Sequence, residues 1–405
     1  MAVSAGAQVS NTLSPYSQYG LGVLADQSLG YSRGMGGVSF GLRGGKQVNA
    51  LNPASYSAVD SLTMLMDVGL SGQNTNFKEG SKQLNAKTGS FDYAVASFRL
   101  LPKVGVAVGI LPYSNIGYSY NATLNSSTTE AYAGDGGLSQ VLMGIGWQFA
   151  RGFSVGMNFS YLWGEYSKTV TVSSSDSYVN TMVRTYAASF SSYKLDFGFQ
   201  WQQTLNKDNL LTVGATLGVG HNLGSGATVQ TSSSNTLTSV VNTSDTIRIA
   251  DAFRLPWTFG IGATLLHKNS LTVGLDYSLQ KWSSIDYPTY SSRGYMLSGD
   301  YYRDRSKVAV GADWVPKHYG RKFLGHVHYR MGVSYATPYY NINGSDGPSE
   351  FTLSAGLGIP VGRSMVNVSG QWIHASATDY IRENTLRINI GLTFNERWFA
   401  KWKVD

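Results

Sequence analysis

The sequence predicts an all-β fold: a transmembrane antiparallel β-barrel of about 14 strands with an N-terminal plug, or hatch, in its lumen. Three observations predict the barrel. Apolar residues recur at every second position through many short segments, charges keep to the opposite rows, and connections alternate between long and short. A fourth, the long segment ahead of the first strand, supplies the plug.

From Ser61 onward the period is two. Leu62, Met64, Met66, Val68 and Leu70 share one face, with Thr63, Asp67, Gly69 and Ser71 among the residues of the other. Val104, Val106, Val108 and Ile110 repeat the pattern, as do Val155, Met157, Phe159, Tyr161 and Trp163. Tyr193 to Trp201 and Leu271 to Leu279 follow it, and the last such row is Leu386, Ile388, Ile390, Leu392 and Phe394. Strand side chains alternate between faces, so each segment has one apolar and one polar or glycine-rich side.

Soluble sandwiches also have amphipathic strands, so the charges decide. Lys194, Asp196, Asp276, Asp313, His328 and Arg330 all fall on polar rows. A charge facing lipid at the midplane costs roughly 2–4 kcal/mol, which makes this segregation a requirement of a membrane barrel. Aromatics gather at segment ends (Trp147 and Phe149, Tyr161 and Trp163, Trp201, Trp282, Trp314, Trp372), as in interfacial girdles.

Long polar loops are expected at Gly72–Thr88, Asn121–Gly136, Ser167–Ser192, Leu223–Phe253, Ser283–Arg305, Thr337–Ser349 and His374–Asn384. Short turns fall between them at Leu101-Pro102-Lys103, Ala150-Arg151-Gly152, Asn206 to Asn209, His267-Lys268-Asn269 and Pro360 to Arg363, with a longer one at Pro316–Phe323. Short periplasmic turns and long extracellular loops are the asymmetry of Gram-negative outer-membrane barrels. An even strand number returns both termini to the periplasm, and lipid and lipopolysaccharide surround the wall.

Composition agrees. Charged residues are only 14% of the chain and aromatics 13%, with 47 Gly. No apolar run of about 18 residues exists to form a helical span. Cysteine is absent, which removes disulfides and thiolate metal sites. The net charge of +7 is scattered along the chain, and no nucleic-acid role is read from it.

Residues 1–8 (MAVSAGAQ) read as the end of a secretory signal or an added start. Residues 9–60 form the hatch, 61–395 the barrel and 396–405 a periplasmic tail. The hatch segment carries Gly34-Met35-Gly36-Gly37, then Gly41, Gly44-Gly45 and Asn52-Pro53-Ala54. Apolar residues run through it, so it can pack, and a barrel this wide is an aqueous pore unless filled.

On the glycine-rich stretch and the Asn52-Pro53-Ala54 tripeptide just before strand one, the chain resembles the FadL family of long-chain fatty-acid and hydrophobic-compound transporters. Arg254-Leu255-Pro256, Asp276-Tyr277 with Trp282-Ser283, and Lys307–Trp314 support the resemblance. The opening SPYSQYGLG segment and the tail from Asn395 depart from the better-known transporters. Similar sequences include branches that serve surface-protein secretion, such as PorV. The resemblance implies a hatch, a binding path for hydrophobic ligands, and a lateral gap in the wall at a kinked third strand.

Pro112 lies in that strand and is the lateral-gate candidate, because proline removes a ladder donor; the plainer alternative is that it ends the strand. Gly34, Gly37, Asn52, Pro53 and Ala54 are the hatch and hinge candidates, Asn-Pro also being an ordinary turn starter. Lys194, Lys307 and Arg330 are candidate lumen charges that steer a carboxylate, or simply solvated lining. His326 and His328, without cysteine or a nearby carboxylate partner, read as lumen lining and not as a metal site. No dinucleotide loop, P-loop or serine elbow survives in context, so no enzyme, metal or cofactor is expected. The expected function is plug-gated uptake of a hydrophobic small molecule. Its rivals are a barrel that docks an outer-membrane protein or lipoprotein partner, and an unplugged diffusion porin.

Overall fold

The computed structural model describes residues 14–397 apart from 236, 239, 244–245, 293, 318–321 and 379. The proposed signal remnant at 1–8 and the tail beyond Arg397 lie outside the described residues.

Fourteen antiparallel strands close into one barrel. They are β1 (Thr63–Glu79), β2 (Lys82–Leu101), β3 (Val104–Thr123), β4 (Thr128–Ala150), β5 (Phe153–Ser174), β6 (Thr181–Asn206) and β7 (Asn209–Gly218). Then come β8 (Thr258–His267), β9 (Leu271–Gln280), β10 (Arg305–Trp314), β11 (His328–Ala336), β12 (Ser349–Val361), β13 (Ser364–Ser376) and β14 (Arg382–Arg397). Each pairs with the next, and β14 returns to β1 from Thr63–Arg397 to Lys78–Arg382. Closure pairs every strand with two neighbours, as lipid requires where an unpaired backbone group costs several kcal/mol, of order the transfer penalty of a bare amide.

The apolar rows face outward. Leu70, Met143, Leu275, Met331 and Leu386 are all more than half exposed on the outer wall, whereas Asp67, Gln140, Gln200, Asp276, Asp313 and Asn389 are buried inside. Trp147, Phe149, Trp314 and Trp372 stand outward near strand ends, whereas Tyr161, also outward, is mid-strand in β5. Trp282 does not. It is fully buried, on a 3-10 turn in the long loop after β9, with its ring tilted against those of Tyr302 and Tyr339 at about 5 Å. The girdle assignment is corrected there: an end-of-strand aromatic is ambiguous until the loop's path is known.

Several expected loops are strand. β1 and β2 pair as far as Glu79–Lys82, β4 and β5 as far as Thr128–Ser174, and β5 and β6 as far as Val172–Met182. β13 and β14 likewise run to Ser376 and from Arg382. Beyond the bilayer both strand faces meet water, so the apolar alternation disappears while Thr, Ser and Tyr continue the ladder. On the long-loop side the long connections are those after β7, β9 and β11, which carry short antiparallel pairings of their own.

Inside the barrel lies the hatch. It comprises 3-10 turns at Pro15–Gln18 and Pro53–Ala58, a one-turn helix at Gly30–Arg33 and a two-residue strand at Val23–Leu24. Its apolar residues form small dry clusters against the wall, notably Met35, Val38 and Leu42 with Ala309, and Leu29, Val48 and Tyr56 with Leu65, Val95 and Leu142.

Candidate functional site

The hatch is seated by shape first. Asn52 caps the Pro53–Ala58 turn, its side chain accepting from Ala54 N at 3.2 Å, and donates through Nδ2 to the carbonyls of Phe40 and Phe199. That turn rests on glycines of the wall. A Cβ added at Gly105, Gly146, Gly156 or Gly198 would stand 1.9 to 2.4 Å from atoms of Tyr56, Pro53 or Asn52. At Gly214 it would meet the Phe40 carbonyl at 1.8 Å. Asn52, Pro53 and Ala54 thus pack on the glycine patch of β3 to β7. Gly34 backs onto Arg330, and a Cβ added at Gly37, at φ +88°, would stand 3.4 Å from the Lys307 ammonium.

Buried charge then pins it. Arg33 donates to Asp92 on β2 and to Asn389 on β14, 3.0 Å away, stapling both flanks of β1. Its guanidinium also covers the Tyr93 ring at 5.3 Å. Tyr31 donates to Asp313, which pairs with Arg330 at 3.0 Å and with His328 at 2.8 Å, while Arg330 stacks on Tyr31. His328 therefore does have a carboxylate partner, supplied across the ladder by β10, where sequence proximity could not show it. Burial pushes the Asp26 carboxyl up, but Lys307 and then Arg33 outweigh it and hold it at about 2. Of the candidate lumen charges, Arg330 is buried in this network, Lys307 lies against the hatch, and Lys194 pairs with Asp196 on its own strand.

The β2–β3 ladder stops short beside Pro112. β2 and β3 pair from Leu101–Val104 only to Ala94–Ile110, although β2 continues to pair with β1 and β3 with β4. The β3–β4 register shifts between Pro112 and Ser114. Pro112 therefore does not end its strand; it sits at a bulge that turns β3 away from β2, as a residue without a ladder donor allows. The hatch covers the freed edge from inside. Val23 and Leu24 pair with Asn115 and Ser114, Ala25 N donates to Tyr113 O, and Gln27 Nε2 donates to Pro112 O. Gly22, at φ +92°, lies so close to Asn115 and Ile116 that a Cβ there would approach both to 2.5 Å. Between the strands lies a cavity of about 550 Å³ lined by Pro15, Phe77, Leu84, Tyr118 and Tyr120, with Glu79 and Lys82 at its edge. A second, of about 280 Å³, lies between hatch and wall beside Leu24 and Tyr113; Ser14 borders both.

At the long-loop end an aromatic lid grips the hatch. Tyr287 and Tyr340 donate to the carbonyls of Gly20 and Tyr16, Tyr339 donates to that of Gly22, and Gly20 N donates to Tyr301. Lys168 reaches in from β5 to the carbonyls of Gln18 and Gly20 at 2.8 and 2.9 Å. Neither the lid nor the glycine seat is among the sequence candidates. Inward glycines at every second strand position were the available signal for the seat.

The profile of the BamG family matches residues 1–405. The chain belongs to the BamG family. Among curated proteins none matches the sequence. Among solved structures the chain is similar to the monoaromatic hydrocarbon channel CymD, at 14% identity over 94% of this chain and 100% of that one, with a TM-score of 0.63. The Pseudomonas putida toluene transporter TodX gives 14% identity, 94% and 99% coverage and a TM-score of 0.63. A Pseudomonas aeruginosa FadL homologue gives 11%, 93% and 99%, and 0.62. At such identities the likeness is one of fold: this BamG-family chain has the barrel of FadL-type channels under a different family name. The matches named here include no PorV-like component.

Proposed function

We propose that this BamG-family barrel sits in the outer membrane with both termini periplasmic and passes a hydrophobic small molecule from the outside into the bilayer. The observation that carries this is the opening between β2 and β3, backed by an apolar cavity and covered by hatch residues 14–27. An apolar ligand leaving there enters lipid without crossing water, and movement of the Val23–Leu24 strand is the gate. The likeness in fold to hydrocarbon channels supports the reading. Proteoliposomes carrying the protein should take up labelled fatty acid or toluene faster than empty ones, and Ala86→Trp, which fills the cavity, should slow uptake. Equal rates with and without protein overturn the proposal.

The second reading, a barrel that docks an outer-membrane protein or lipoprotein, is favoured by the lid and ion pairs that clamp the hatch and by a family distinct in name from the transporters. Gentle detergent extraction and native sizing separate the two: a stable heteromer supports docking, a monomer with lipid inside supports uptake.

A further inference from the structure

The short-turn mouth of the barrel is basic. Every short turn contains a lysine or arginine, and Asp208 is the one carboxylate residue among their tips. Within that ring the hatch floor and strand ends enclose an open cup of about 1510 Å³ on the barrel axis. Its cationic lining includes Arg43 and Lys46 from the hatch, Lys268 and Arg363 from turns, and Arg397 from the end of β14; among the described residues Asp60 is its single acid. Among the described residues, Lys46, Lys268, Arg363 and Arg397 form no ion pair. All four are exposed.

We infer that this cup is a docking site for an acidic segment of a polypeptide. Like charges gathered in a concave, protein-walled space focus the field and draw in counter-charge. The cup is larger than the roughly 300–1,000 Å³ of small-ligand pockets, so an extended chain suits it better than a single anion. Lipid headgroups meet the outer rim of the turns, because the strands wall the axis off from the bilayer. The partner's periplasmic address follows from the orientation proposed above; the binding itself does not depend on uptake, and each assay can fail while the other succeeds.

The test uses the full chain in phosphatidylcholine nanodiscs and a fluorescein-labelled decamer of glutamate, read by fluorescence anisotropy. Wild type should bind saturably. The fourfold variant Lys46→Gln, Lys268→Gln, Arg363→Gln and Arg397→Gln should bind about tenfold more weakly, from four exposed charge contacts. Lys103→Gln with Arg151→Gln, on the outer rim, should stay within about twofold of wild type. Should the fourfold variant not fold, wild type decides: its affinity should fall steeply as salt rises from about 0.05 to 0.5 M. No binding by wild type, an equal loss in the rim variant, salt-insensitive binding, or abolition when phosphatidylglycerol is added to the disc, which would make the cup a headgroup site, each overturns the inference.

Discussion

Arg33→Ala should unseat the hatch. The Arg33 side chain is 4% exposed and the Asp92 side chain 11%, so removing the guanidinium strands a buried carboxylate that keeps only Ser71 and Ser90 as donors. Breaking a buried pair from one side costs about 3–5 kcal/mol. Asn389 and the Ser28 carbonyl lose a partner as well. Because the barrel's own ladder is untouched, the cost falls on hatch seating. About 4 kcal/mol shifts the seated-to-released ratio by roughly a thousandfold. Planar-bilayer recording reads this directly: wild type should conduct rarely, and the variant should show frequent large openings. Arg33→Ala combined with Asp92→Ala should recover part of the seating, since no charge is then left unpaired. A quiet Arg33→Ala channel, with its hatch as protease-resistant as wild type, would refute the idea that this pair holds the plug.

Gly214→Val should destabilise the folded protein by about 1–3 kcal/mol through overpacking on the Phe40 carbonyl, seen as a lower melting temperature, whereas Gly370→Val, with nothing within 4 Å, should be neutral. Trp282→Ala should cost about 3–5 kcal/mol as a buried aromatic. Fluorescence from Trp147, Trp314 and Trp372 should be quenched by brominated lipid, and that from Trp282 should not; quenching of Trp282 would return it to the girdle. Asp26, ordinarily near 3.8 and here held at about 2, stabilises the hatch fully above 3.8 and loses that contribution as pH falls toward 2. The Asp26 contribution, read as the difference in limited proteolysis between wild type and Asp26→Asn, should therefore be unchanged from about pH 8 to 5 and shrink only in strong acid, since the depressed pKa keeps the carboxylate charged.

The amino-acid order by itself determined the barrel. Period-two alternation with charge on one side only, as in Tyr193 to Trp201 or Leu386 to Phe394, says which face meets lipid, because each strand settles that locally against the bilayer. The turn positions were legible for the same reason: proline, glycine and lysine at a turn break alternation where it occurs. Strand length past the membrane was not, since Gly72 to Thr88 pairs in water and needs no apolar row. Tertiary structure alone decided the site. Arg33 meets Asp92 and Asn389, and Lys168 meets Gly20, across separations of 59, 356 and 148 residues. Nothing local encodes such contacts. Whether a buried charge is a lumen lining or a hatch anchor depends on which strands closure brings alongside it, and closure is a property of the whole chain.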